Sequence, residues 1–148
     1  MKILLILLVT TIFLISENAS SQLTQQWANR YNASGNGNDE ANKTAIDNAG
    51  NVYVTGRSFL SGSNFDYATI KYNAAGEELW VRRYNGSGGI DEANAIAVDN
   101  AGNVYVTGKS QGGDSNSDFV TIKYNPDGVQ LWLRSYNGSG NGIDEAVG

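Results

Sequence analysis

DEANAIAVDNAGNVYVTGKS, residues 91–110, restates DEANKTAIDNAGNVYVTGRS, residues 39–58, at a fixed offset of 52. The copying continues beyond these twenty residues. Residues 39–90 laid over 91–142 agree at 33 of 52 positions without a gap. Outward, WANRYNASGNGNDEA (27–41), WVRRYNGSGGIDEA (80–93) and WLRSYNGSGNGIDEA (132–146) are three versions of one passage. Trp27, Trp80 and Trp132 are therefore one repeat position seen three times. Self-similarity at this period marks a stack of one supersecondary unit, each copy covering the apolar face of the next.

The unit divides into four strand-like runs: ANAIAVD (93–99), NVYVTGKS (103–110), DFVTIKYN (118–125) and VQLWLRSYN (129–137). Between them lie the turn NAG, the polar loop QGGDSNS and the turn PDG. Gly102 and Gly128 fall where a tight hairpin turn wants a positive φ, and Asn100 and Asp127 can bond the turn backbone. Helices are excluded, because β-branched and aromatic residues dominate and glycine recurs every few positions. Val104 and Val106 fall on one face of the second run, with Tyr105 and Thr107 on the other. On the third, Ile122 and Tyr124 oppose Thr121 and Lys123. In the first, Ala93, Ala95 and Ala97 alternate with Asn94, Ile96 and Val98. Small side chains suit a crowded inner strand, and Trp132 and Tyr136 suit a wide outer one. The predicted fold is all-β: beta-propeller blades, each a four-stranded antiparallel meander of a roughly 52-residue repeat, in an incomplete ring of about two blades. A two-sheet sandwich could use the same strands, but gives no reason for its sheets to share a sequence.

The repeat resembles the bacterial beta-propeller repeat family known as the seven-bladed beta-propeller repeat. The likeness lies in D-x-x-G-N-V-Y-V-T-G (Asp47 to Gly56, Asp99 to Gly108) and in T-I-K-Y-N-x-x-G-x-x-L-W (Thr69 to Trp80, Thr121 to Trp132). It implies a secreted or surface protein built on a propeller. The family carries no common catalytic residues over to this chain.

Residues 1–21, one Lys ahead of an apolar run from Ile3 to Ile15 and a small-residue exit at Ala19 and Ser21, read as a secretory signal peptide. A retained membrane anchor is the rival, although thirteen residues rise only about 20 Å as a helix, short of the roughly 30 Å hydrocarbon core. Residues 22–38 read as the outer strand of a preceding blade plus a linker. Then come repeat 1 (39–90), repeat 2 (91–142) and the start of a further repeat (143–148). Closed propellers need roughly four to eight blades, so the chain is expected to be a piece of a longer array. Alternatively, several short chains share one ring. The expected localisation is secreted or cell envelope and surface, with no membrane span once the signal is removed.

Net charge is −5 and basic residues are scattered singly apart from Arg82-Arg83, so nucleic acid is not an expected partner. The chain has no histidine and no cysteine. That removes Ser-His-Asp and Cys-His machinery and zinc sites of Cys/His type. No enzymatic activity and no cofactor are expected. The acidic pairs Asp39-Glu40 and Asp91-Glu92, with Asp144-Glu145, recur just before each inner strand. They are the weak metal candidates, as an acidic collar for a hard cation. The plainer reading is that each Asp bonds turn amides and each Glu is solvated. DNAGN (47–51, 99–103) has Ala49 and Ala101 where a calcium loop needs an oxygen ligand. Asp66 and Asp118 are expected to cap the loop before the third strand.

Binding candidates are Phe59, Leu60 and Phe65, which have no apolar counterpart in the second copy, on loops where specificity usually resides. Trp80 and Trp132 could stack on sugar rings, or fill the core between blades. The expected partners are an unknown protein or carbohydrate ligand, and further blades of the same protein or other copies of the chain. The function expected is a non-enzymatic binding or structural scaffold. Its rivals are a sugar-binding lectin assembled from short chains and a propeller hydrolase or lyase with catalytic blades elsewhere.

Overall fold

The computed structural model describes residues 24–34, 36–60, 64–112, 116–139, 142–144 and 146. The expected signal peptide lies outside the described residues. Eight strands run in chain order: β1 (Asp39–Ile46), β2 (Val52–Phe59), β3 (Phe65–Tyr72), β4 (Glu78–Tyr84), β5 (Asp91–Val98), β6 (Val104–Gln111), β7 (Ser117–Tyr124) and β8 (Gln130–Tyr136). They form two antiparallel meanders, β1-β2-β3-β4 and β5-β6-β7-β8. These are the two four-stranded units read from the repeat. Gly50, Gly76, Gly102 and Gly128 all take positive φ, so the expected turn glycines stand where the turns need them.

The side chains that bind these turns are not the expected ones. Asp47 accepts hydrogen bonds from the backbone of Ala49 and Asn51, the Asn51 amide and the Tyr53 hydroxyl. Asp99 repeats all four with Ala101, Asn103 and Tyr105. Asn125, in place of Asp127, accepts from the backbone of Asp127 and Val129. The bonding residue is the first after the strand, where its carbonyl and side chain both face into the turn. The DNAGN loop is thus fully used as turn chemistry.

The inner strands depart from simple alternation. A bulge interrupts β1 between Ala41 and Lys43 and β5 between Ala93 and Ala95. One extra residue shifts the phase, so beyond the bulge the opposite set of side chains faces the neighbour. Ala93 is buried, yet Ile96 and Val98, not Ala95 and Ala97, pack with it on the core. Gly56 and Gly108 accommodate the bulge. A Cβ on Gly108 would stand 2.0 Å from the Glu92 carbonyl oxygen, and one on Gly56 1.9 Å from that of Glu40. The glycine of V-Y-V-T-G is the mark of this bulge.

Candidate functional site

The two sheets pack face to face, and their joint is the core of the molecule. Tyr53, Tyr67 and Trp80 of the first sheet meet Ala93, Val104, Val106, Val120, Ile122 and Tyr124 of the second. Each group is one face of its sheet, as the register requires: Tyr53 stands opposite Lys71 and Trp80 opposite Lys71, while Val106 stands opposite Ile122. Polar atoms at the joint find partners across it. The Tyr67 hydroxyl donates to the Val120 carbonyl at 3.3 Å, and the Trp80 indole N–H and the Lys71 ammonium both donate to the Pro126 carbonyl. The Trp80 ring lies over Gly128, where a Cβ would come within 2.8 Å of it. Burial pushes the Tyr124 phenol up to about 12.

Each sheet keeps one face that the joint does not use. On the second sheet it carries Tyr105, Thr107, Phe119, Thr121, Lys123 and Trp132, half-buried, with Tyr136 54% exposed. These are the repeat counterparts of Tyr53, Thr55, Tyr67, Thr69, Lys71, Trp80 and Tyr84, the first six of which the joint buries. On the first sheet the free face carries Val52, Val54, Ala68, Ile70 and Tyr72, the counterparts of Val104, Val106, Val120, Ile122 and Tyr124. Ile46, whose counterpart Val98 packs on the core, is 69% exposed there.

Residues 24–34 lie across part of that face without strand pairing. They reproduce the contacts of an outer strand one by one. Trp27 sits over Gly76 and 5.9 Å from the Tyr72 ring, as Trp80 sits over Gly128 and 6.2 Å from Tyr124. The Asn29 amide donates to the Gly76 carbonyl, as the Arg82 guanidinium does to Gly128. Ala33 N–H donates to Asp39, as Gly86 N–H does to Asp91 and Gly138 N–H to Asp144. Beside the segment a groove of about 280 Å³ remains open, lined by Trp27, Tyr31, Val54, Ala68, Ile70 and Tyr72. It lies over the residues whose counterparts receive Tyr53 and Tyr67 in the joint.

Residues 79–114 match the family described as Beta-propeller repeat. The match starts on β4, crosses the joint, and runs through β5 and β6, so it spans the outer strand of one blade and the inner strands of the next. No curated protein matches the chain.

The acidic pairs are placed by this architecture. Asp39 and Asp91 tie the incoming loop to the start of the inner strand, and each faces a serine of the second strand, Ser58 or Ser110. Glu40 and Glu92 are not simply solvated. Glu40 pairs with Arg57 at 2.7 Å, while Glu92 pairs with Lys109 at 3.2 Å and reaches Arg57 of the other blade at 3.5 Å. The Asn42 amide on the bulge donates to the Glu92 carboxylate and the Ala93 carbonyl, a further tie between blades. Among the described residues no three acidic side chains gather as a cation site would require.

Phe59 and Phe65 face each other across the β2–β3 end, 5.8 Å apart, under the Arg57 guanidinium and against Gly37. Leu60 follows, half-buried, and residues 61–63 lie outside the described residues. Trp80 is in the joint and 8% exposed, and Trp132 is on the free face of the second blade. Asp66 caps no loop among the described residues; it is buried and paired with Arg83 at 3.1 Å, and Arg83 also donates to Ser58 and Tyr31. The second copy has Ser135 at this position and so lacks the network. The adjacent arginines Arg82-Arg83 were its only trace in the sequence.

Asp91 is fully buried, and its Oδ1 has no hydrogen-bond partner. Burial raises its pKa; bonds from Ser110 and the Gly86 amide pull it back, and the charge of Asp66 adds to the rise. A raised carboxylate pKa gives stability that is present below the unfolded value and lost as pH rises through the folded one. Asp91→Asn keeps an acceptor for Gly86 N–H and removes that loss. Its stability relative to the native chain is expected to increase as pH rises above about 4, read by urea denaturation at each pH. A constant difference would mean that folding leaves the Asp91 pKa unshifted, and a falling one that Asp91 is held as a favoured anion; either contradicts the rise.

Proposed function

We propose that the chain is an exported, non-enzymatic scaffold segment of a propeller, whose blades stack on further blades and present their divergent loops to a protein or carbohydrate ligand. The observation that carries this reading is the reuse of one face code. The two free faces are copies of the two halves of the joint, residue for residue at most positions. The recurring carboxylates support it as well, because turns, bulge contacts and ion pairs between blades engage them. The loop end bearing Phe59, Leu60 and Phe65 is where the two repeats differ most and is the place for a ligand.

In a repeat array each added unit contributes an interface with its neighbour. Extending the chain by a further copy of residues 91–142 is expected to raise Tm by roughly 5–10 °C, measured by circular dichroism. No rise, or separate melting of the added unit, would contradict the scaffold reading. Expression in a bacterial host with mass measurement of the exported protein tests the signal reading. Loss of residues 1–21 is expected, and an intact N-terminus would overturn it.

A further inference from the structure

We propose that the free face of the first blade is a docking site for the second blade of another copy of this chain, and that the segment holding Trp27 competes with the incoming Trp132 for one seat. The inference deepens the scaffold reading and rests on it, but it concerns separate chains instead of blades joined in one.

The occupant is specified by the joint itself. The face that fills the joint from the first blade consists of Tyr53, Thr55, Tyr67, Thr69, Lys71 and Trp80. The free face of the second blade offers Tyr105, Thr107, Phe119, Thr121, Lys123 and Trp132 at the same positions, with one change, Phe119 for Tyr67. The receiving face changes at four positions, Ala68 for Val120, Thr44 for Ile96, Ile46 for Val98 and Val81 for Leu133, while Ala41, Val52, Val54, Ile70 and Tyr72 repeat Ala93, Val104, Val106, Ile122 and Tyr124. The groove of about 280 Å³ lies where Tyr105 and Phe119 of the second copy would enter. Charge agrees: Lys109 would approach Glu40, whose side chain is 54% exposed, as Arg57 approaches Glu92 within the chain.

Gly76 completes the likeness. It has positive φ and leaves room for an indole above it, as Gly128 does for Trp80. In the single chain that seat holds Trp27, fixed by one ring contact with Tyr72 and the neighbouring Asn29 bond. The segment makes no strand pairing; its remaining ties are the Ala33 N–H to Asp39 and the Arg83 guanidinium to the Tyr31 hydroxyl. An incoming β8 would bring the same indole together with a paired strand. The contact is heterologous, with different faces on the two copies, so it propagates to a closed ring or an open stack.

Sedimentation velocity over a range of concentrations tests this, with melting curves to confirm that each variant folds. The native chain is expected to associate reversibly. Trp27→Ala, which empties the seat, is expected to tighten association by about tenfold or more. Thr121→Arg, on the free face of the second blade, is expected to weaken it by at least about a hundredfold in a chain that still melts cooperatively, with only the Thr107 hydroxyl bond lost inside the blade. If both the native chain and Trp27→Ala remain single chains at every concentration, or if Thr121→Arg associates as the native chain does, the docking site is overturned. A gain in Tm on covalent extension would still stand, so failure here is distinguishable from failure of the scaffold reading.

Discussion

Trp80→Ala is expected to cost about 3–5 kcal/mol, whereas Trp132→Ala, the same substitution at the same repeat position, is expected to cost roughly 1 kcal/mol. The two residues hold one repeat position on equivalent strands, each beside an equivalent bulge, and the main difference is what lies over them. Trp80 is 8% exposed, touches Tyr53 and Tyr124, covers Gly128 and donates its N–H to Pro126. Its removal leaves a cavity in the joint and an indole-sized gap that backbone cannot fill. Trp132 contacts Tyr105 of its own blade and is otherwise open to solvent on one side. Urea denaturation of both variants at low concentration, where chains are not associated, reads the difference. Equal losses would mean that the joint contributes no more than the single sheet does.

Gly108→Ala is expected to destabilise by about 3 kcal/mol or more, although the change is one methyl group on a residue with ordinary negative φ. The obstacle is backbone. The new Cβ would meet the Glu92 carbonyl oxygen at 2.0 Å and the Ala93 Cα at 2.8 Å, and neither is a flexible end that can swing away. Relief requires undoing the bulge at Ala93/Ala95. That would send Ile96 and Val98 away from the core and Ala95 and Ala97 toward it. Gly142→Ala, with nothing within 4 Å of its Cβ, serves as the control and is expected to be neutral. Thermal melting of the two variants checks the pair; a Gly108→Ala protein that melts with the native chain would show that β5 carries no bulge there.

The parts legible in the sequence are those written in period and turn chemistry. The 52-residue offset, the alternation in V-Y-V-T and T-I-K-Y, and the turn glycines led directly to two four-stranded meanders. What escaped depends on contacts that period cannot express. The bulge adds a residue to β1 and β5 without changing composition, and its one sign is a glycine inside a strand, which strand propensity treats only as a weakness. The choice of Asp99 and Asn125 over Asn100 and Asp127 turns on which side chain points into the turn. The Arg83–Asp66 pair joins residues 17 apart on neighbouring strands, and no single window contains both. For the candidate site, the repeated tryptophan was visible as a position. That Trp27 takes over Gly76 the seat that Trp80 takes over Gly128, yet without strand pairing, emerged only from the structure.

A double-mutant cycle of Trp80→Leu and Tyr124→Leu bears most directly on the face-to-face joint, because these rings come from different repeats and meet at a centroid distance of 6.2 Å. Urea denaturation of the native chain, both single variants and the double variant yields their coupling. A joint of the kind described predicts a coupling of about 1 kcal/mol. Additive losses, with coupling near zero, would contradict it, since the two residues would then not face each other across adjacent blades.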